Sequence, residues 1–298
     1  MPEYPDITVY IERLRDFIIQ QRLEKIRLLS PFFLRTVVPA IDSIKGQKVE
    51  DLKRIGKRIV FCFSDDFYLV LHLMVSGRLQ WKERGAAVNR KIGLAVLDFE
   101  NGALLITEAG TKKRASLHLV RGLENLAEFD RGGLNILNAS LEKFSARVMS
   151  ENHTLKRTLT DPRLFDGIGN SYSDEILHAA RLSPVKLSRT LSDEEMARLY
   201  FACRSQLELW TNRLRKEAGD GLPKKVTAFR SDMAVHGKYN QPCPICGTAV
   251  QRIRYADNET NYCPRCQTHG KLLLDRSLSR LLKQDWPRTI EELENRTK

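Results

Sequence analysis

Apolar residues recur at Ile7, Ile11, Leu14 and Ile18, which is one face of a helix over residues 6–20, and Pro5 stands where a helix can start. The period then changes. Leu23–Leu29, Arg58–Ser64, Phe67–Met74, Ile92–Phe99 and Ala103–Thr107 are short runs of β type, with turn signals such as Asp65-Asp66 and Asn101-Gly102 between several of them. One helix followed by several short strands predicts a β-sandwich domain. From Asp130-Arg131-Gly132-Gly133 onward the pattern is helical, at Leu141–Met149, Thr154–Leu159, Tyr172–Ala180 and residues 193–216. Ser192 and Glu195 form a capping box for the last of these. Residues 219–241 read as a loop, and short helices are predicted at Ser277–Leu282 and Arg288–Glu294. The chain is therefore expected to be α+β. Its segments are a sandwich over 1–130, a helical domain over 131–240, a cysteine-rich segment over 241–270 and an extension over 271–298.

Length supports more than one domain, because 298 residues exceed what a single core usually serves. No apolar run approaches the roughly 18–20 residues of a membrane span. The start Met1-Pro2-Glu3-Tyr4-Pro5-Asp6 lacks the basic and apolar regions of a signal peptide, so a cytoplasmic protein away from membranes is expected. The net charge of +12 points to a polyanion as partner, since lysine and arginine gain affinity by displacing counterions from phosphates.

The six cysteines divide sharply. Cys62, in Ile59-Val60-Phe61-Cys62-Phe63, reads as a buried strand residue, and Cys203 as a helix-core residue. Cys243, Cys246, Cys263 and Cys266 form C-x2-C-x16-C-x2-C. Two thiolates three residues apart can hold one metal from a tight turn, and two such turns complete the all-sulfur tetrahedron that Zn²⁺ favours. With no ligand position left open, the site is expected to hold one structural zinc. Residues 247–262 read as two short strands around Ala256-Asp257-Asn258, a zinc β-hairpin. Arg252 and Arg254, two apart, fall on one side of a strand in a manner suited to phosphate contact.

Between two of the predicted helices lies Gly167-Ile168-Gly169-Asn170. Glycines feeding a helix N-terminus leave free backbone N–H groups and allow close approach, which suits a phosphate; a tight helix corner would also need glycine. Lys156 and Arg157 on the preceding helix favour DNA, and Asn170 could cap the helix and donate to a phosphate.

Five motifs in order now carry a resemblance: Pro2-Glu3, Lys57 in Ile55-Gly56-Lys57-Arg58, His72-Leu73-x-x-Ser76-Gly77, Gly167-Ile168-Gly169-Asn170-x-Tyr172-x-Asp174-Glu175, and Tyr262-Cys263-Pro264-x-Cys266-Gln267. Over about residues 1–267 the chain resembles the formamidopyrimidine-DNA glycosylase / endonuclease VIII family. The resemblance implies a β-sandwich with a catalytic N-terminal helix, then a helix–two-turn–helix domain with a zinc β-hairpin. It implies damaged DNA as partner and a monomeric bifunctional glycosylase and abasic-site lyase. Pro2 would be the nucleophile and Glu3 the proton carrier. Lys57 would contact phosphate and donate a proton, and Lys156 and Asn170 would bind phosphate. A terminal amine has a pKa of about 7.7–8.0 against about 10.4 for lysine, so part of it is nucleophilic at neutral pH. Without the resemblance neither residue stands out. Proline is common at position 2, and Lys57 is one of 49 basic residues.

The departures concern the lesion reader. Val75, beside Met74, stands where many members carry the methionine that fills the hole left by a flipped base. Thr107-Glu108-Ala109-Gly110-Thr111-Lys112-Lys113-Arg114 replaces a loop whose arginine and phenylalanine wedge the duplex, and it has no aromatic residue. Asn258 stands where the hairpin tip usually carries arginine. Asp6 and Thr8 shorten one acid of the N-terminal motif and lose another. The expectation is retained lyase chemistry on abasic sites with weakened excision of oxidised purines, on open or single-stranded DNA. The alternatives are a lesion-binding protein with little turnover and a zinc-ribbon nucleic-acid binder with other duties.

Overall fold

The first helix, α1 (Tyr4–Ile18), forms where the apolar period placed it and buries Ile7, Tyr10, Ile11, Leu14 and Ile18. Eight strands follow: β1 (Leu23–Leu28), β2 (Val49–Ile55), β3 (Arg58–Phe63), β4 (Phe67–His72), β5 (Gly77–Lys82), β6 (Gly93–Phe99), β7 (Gly102–Glu108) and β8 (Ser116–Arg121). They make two four-stranded sheets, in the orders β1-β6-β7-β5 and β2-β3-β4-β8, with every pairing antiparallel. The α1 face, Phe61, Leu69 and Leu71 of one sheet, and Leu97, Leu104 and Ile106 of the other share one apolar core. Each such side chain contributes about 1.5–3 kcal/mol on burial.

This computed structural model describes residues 1–224, 226, 229–255, 258–275 and 287–296. They fall into two units, Met1–Arg131 with Leu209–Thr227, and Gly132–Glu208 with Ala228–Lys298. The first unit is thus discontinuous. Leu222 and Val226 lie in its core, and Arg215 pairs with Glu12 at 2.6 Å. The short α2 (Leu123–Ala127) closes its first stretch.

The second unit carries α3 (Leu141–Ser150), α4 (Leu155–Thr160), α5 (Asn170–Ala179) and the greater part of α6 (Asp193–Ala218). Ser192 and Glu195 cap α6 reciprocally, at 3.0 and 3.2 Å. The hairpin strands are β9 (Gln251–Tyr255) and β10 (Asn258–Tyr262), followed by α7 (Pro264–Thr268) and α8 (Ile290–Arg296). The helix expected at Ser277–Leu282 lies outside the described residues. Cys62 and Cys203 are buried as expected, and burial pushes the Cys62 thiol up to about 11, so both are inert structural thiols.

Two polar groups, one partly buried and one buried, brace these units. In the first, His72 ends β4, and its Nδ1 accepts the Met74 N–H at 3.3 Å. Burial, with Arg58, Lys57 and His118, lowers its pKa from 6.5 to about 4. In the second, the buried Glu175 of α5 accepts the N–H groups of Ala234, Val235 and His236 at 2.8, 2.9 and 3.0 Å.

A base with a depressed pKa costs stability as pH falls, because the unfolded chain binds the proton first. Relative to a His72→Asn variant, the wild type is expected to lose up to about 3 kcal/mol as pH drops from 6.5 to 4, and nothing above 6.5. Urea unfolding of both proteins across that range checks it; parallel pH profiles would refute it. Glu175→Gln leaves at least one buried N–H facing an amide donor and is expected to cost about 2–4 kcal/mol. Hydrogen exchange should then show the amides of residues 234–236 losing protection ahead of the rest of the unit.

Candidate active site and nucleic-acid interface

In the first unit, Pro2 and Glu3 are buried at the head of α1. The Glu3 N–H donates to Asp6 Oδ2 at 2.8 Å, and the reciprocal bond from the Asp6 N–H to the Glu3 side chain completes a capping box. The shortened acid Asp6 therefore fixes the segment that carries Glu3. Lys57 is presented by the two-residue turn Gly56-Lys57 between β2 and β3, where Gly56 has φ +61°. A glycine at positive φ in the first central position is what such a turn requires. The terminal amine is held below its ordinary value, first by burial and then by the charges of Arg78 and Lys57, against the opposing pull of Glu3 and Asp6. Pro2, Glu3 and Lys57 are thus gathered at one place in this unit. Asp6 and Arg78 join them, and the sequence reading had given neither a role.

The stretch 107–114 is tied down by its own hydrogen bonds. The Glu108 carboxylate, 2 % exposed, accepts the Arg114 N–H at 2.9 Å, the Ala115 N–H at 3.1 Å and the Ser76 hydroxyl at 3.3 Å. Lys113 Nζ donates to the carbonyls of Glu108 and Lys91 at 2.7 and 2.8 Å. Across the same anchor, Val75 is 56 % exposed. Gly77 is obligatory, since a Cβ there would stand 2.3 Å from the Leu73 carbonyl oxygen.

In the second unit, Lys156 and Asn170 are engaged with their own chain. Lys156 Nζ donates to the Asn170 carbonyl at 2.6 Å and to the buried carboxylate of Asp174. The cap of α5 is Gly169, in an extended conformation; Asn170 is the first helical residue, and its Nδ2 donates to the Glu259 carbonyl at 2.9 Å. Asp174 Oδ2 also meets His236 Nδ1 at 2.7 Å and accepts the Asn261 N–H at 3.1 Å. Through Asn170 and Asp174, α5 therefore grips the outer edge of β10.

Arg252 and Arg254 share one face of β9, as their spacing predicts. Both approach Glu259 on β10, at 3.3 and 3.8 Å. Arg252 also stacks over the Tyr239 ring at 4.0 Å. Asn258 opens β10, paired with Tyr255. Its side chain, like Ala256 and Asp257 of the expected turn, lies outside the described residues.

The four cysteines converge, with all Sγ atoms within 4.8 Å of one another. Cys246 and Cys263 are 3.4 Å apart, and Cys243 and Cys266 are 3.9 Å apart. A tetrahedron with Zn–S bonds of about 2.3 Å has sulfur–sulfur edges of about 3.8 Å, so the cluster fits zinc. His178 Nε2 lies 3.3 Å from Cys243 Sγ and, kept neutral by burial, can donate to a thiolate. Gln267 accepts the Cys263 N–H at 2.8 Å and donates to the Leu182 carbonyl at 2.9 Å, fixing the second ligand pair. The site is a closed, structural zinc site.

Three family models match in chain order. The formamidopyrimidine-DNA glycosylase N-terminal domain covers residues 1–112, the formamidopyrimidine-DNA glycosylase H2TH domain covers 136–211, and the zinc finger found in FPG and IleRS covers 240–268. The formamidopyrimidine-DNA glycosylase of Thermus thermophilus is 32% identical over 282 residues, spanning 91% of this chain and 100% of that protein. The crystal structure of the MutM (Fpg) protein from Thermus thermophilus superposes with a TM-score of 0.74 at 28% identity, covering 89% of this chain and 98% of that one. A complex of the Lactococcus lactis Fpg with abasic-site DNA shares the fold, with a TM-score of 0.79 at 23% identity, covering 89% of this chain and 99% of that one. With all three models in register and a relative matched along its whole length, this chain belongs to the formamidopyrimidine-DNA glycosylase family.

Proposed function

We propose that the chain is a base-excision-repair DNA glycosylase with abasic-site lyase activity, working through a Schiff base on Pro2. The observation that carries this is the head of α1. There, in a chain of this family, Pro2 and Glu3 are buried, and Lys57 and Arg78 act on the terminal amine. Removal of Met1 makes the Pro2 nitrogen a secondary amine in the same surroundings. Burial, which most strongly lowers the Met1 amine, favours the neutral, nucleophilic form there, against the pull of Glu3 and Asp6.

The Pro2 nitrogen attacks C1′ of an extrahelical nucleotide, and the C1′–N bond to the base breaks. The base leaves with that electron pair and takes up the proton that the Pro2 nitrogen releases as its bond to C1′ forms. Glu3 protonates the ring oxygen as the C1′–O4′ bond opens, giving an iminium between C1′ and Pro2. Loss of a proton from C2′ then expels the 3′ phosphate. Lys57 holds that phosphate and supplies the proton the leaving group takes. Zinc takes no part in these steps; its four thiolates hold the arm.

DNA contact is assigned to Lys156, Asn170, Arg252, Arg254 and Asn258. Lys156 uses two of its three N–H donors internally, so one remains for an outside oxygen. The Arg254–Glu259 pair is half-exposed and worth at most about 1 kcal/mol, so a phosphate can displace it. Val75 and the loop without an aromatic residue make flipping from an intact duplex costly, so abasic sites and open or single-stranded DNA are the favoured substrates. The protein acts as a monomer. Its unpaired thiols suit the cytoplasm, and no helix among the described residues is long and apolar enough to cross a membrane.

Borohydride should trap the wild type on an abasic oligonucleotide, while Pro2→Gly and Glu3→Gln lose at least about 90% of the adduct or of turnover. Mass spectrometry should show Met1 removed. Fast excision of 8-oxoguanine from duplex with C opposite would sink the substrate assignment, and an adduct that never turns over would favour a lesion-binding protein. With Asn258 at the hairpin tip, the main product should carry β-elimination ends, and Asn258→Arg should raise the share of β,δ-elimination ends on a sequencing gel. Predominant β,δ ends from the wild type would refute this.

A further inference from the structure

The zinc-finger match ends at residue 268, and relatives are spanned whole by about nine-tenths of this chain. The residues beyond 268 lie outside that match, and their described part is tied to the arm. Leu273 N–H donates to the hydroxyl of Tyr262, a fully buried β10 residue, at 2.8 Å. The chain returns at Arg288 and pairs backwards. Leu272 N–H donates to the Arg288 carbonyl at 2.8 Å, Lys271 bridges Thr289, and Ile290 N–H donates to the Gly270 carbonyl at 2.9 Å. Ile290 is 1 % exposed. Between the outgoing and returning stretches stands Asp275, 2 % exposed, whose carboxylate accepts the Arg254 N–H at 2.6 Å.

The register explains the choice of that N–H. Arg254 faces Glu259, and Arg252 faces Asn261, two positions along. The N–H of Asn261 points out of the ribbon to Asp174, so the matching N–H of Arg254 points out of the opposite edge. The ribbon is thus held from both sides by buried aspartates, one from α5 and one from the residues beyond 268. An unpaired edge N–H beside two arginines is itself a phosphate donor, and a carboxylate placed there fixes the strand from which both arginines project.

We propose that Asp275 is a positioning residue for DNA binding, and that residues 270–275, with 288–290 paired to them, are a brace that sets the attitude of Arg252 and Arg254. This rests on the reading of the hairpin as a DNA-contacting arm. The role belongs to the acceptor, not to the negative charge, so asparagine, which keeps an acceptor oxygen, should substitute for aspartate.

The test uses full-length, zinc-loaded variants and a duplex carrying a reduced abasic site. Asp275→Ala should weaken binding about tenfold, while Asp275→Asn stays within about twofold of the wild type. Trapping at saturating abasic DNA should be unchanged in both. Hydrogen exchange at the Arg254 amide, measured without DNA, should speed up in Asp275→Ala alone. An Asp275→Ala variant that binds as well as the wild type, or tighter, overturns the proposal; tighter binding by both variants would mean that the carboxylate merely repels DNA. If Asp275→Ala loses its zinc, Tyr262→Phe, which removes the acceptor of the Leu273 N–H, takes its place with the same expectation. Arg252→Gln and Arg254→Gln separate the two readings. If they leave affinity unchanged, the reading of the hairpin as a DNA contact fails; if they weaken it and Asp275→Ala does not, only the brace fails.

Discussion

A two-stranded ribbon has two edges of unmet backbone groups, and the second unit depends on how one of them is met. Asn170 and Asp174 stand four residues apart on α5, a rise of about 6 Å. The groups they serve, the Glu259 carbonyl and the Asn261 N–H, are two residues apart on β10, a rise of about 6.8 Å. One helical turn therefore matches one strand repeat, and the helix offers a donor and an acceptor in the order the edge needs. The same turn carries Glu175, which gathers three N–H groups of the segment entering the zinc site. Because Asp174 also holds Lys156 of α4, two helices and the hairpin are joined through one buried carboxylate.

This explains how a chain of net charge +12 comes to bury acids where it is expected to bind phosphate. Asp174, Glu175 and Asp275 lie inside and serve N–H groups of their own backbone. Asp174 is in addition paired with Lys156, which offsets its charge. Glu259, by contrast, is only half-buried and pairs with two arginine side chains.

Much of the fold was legible because its signals are local. The α1 stripe, the apolar strands β3, β4, β6 and β7, the capping box of α6 and the cysteine spacing are each contained in a short window. Three strands escaped the reading: β2, β5 and β8. All three are edge strands, in which charged and polar residues are interspersed with the buried ones. Leu117 and Leu119 of β8 do show an alternation, diluted by Ser116, His118 and Arg121. At the site, Pro2, Glu3 and Lys57 were named through family motifs, since nothing in their immediate neighbours marks them. The tethers were not legible. Glu175 meets residues about 60 positions away, and Asp275 meets Arg254 across a helix and a turn, so no window contains both partners. Glu108 lies within seven residues of Arg114 and Ala115, yet a lone glutamate at a strand end carries no signal of such a role.

The discontinuity of the first unit bears on how the protein is made. Translation delivers residues 1–131 first, with α1 and all eight strands, but the core also contains Leu222 and Val226. The sandwich leaves the ribosome with that part of its core unfilled and waits through the synthesis of the helical segment between. At about 5–20 residues per second the wait lasts several seconds. During that interval the nascent sandwich is where chaperones have most to shield. The last contacts to close it, including the Arg215–Glu12 pair, come from the carboxyl-terminal end of α6 and the residues just after it.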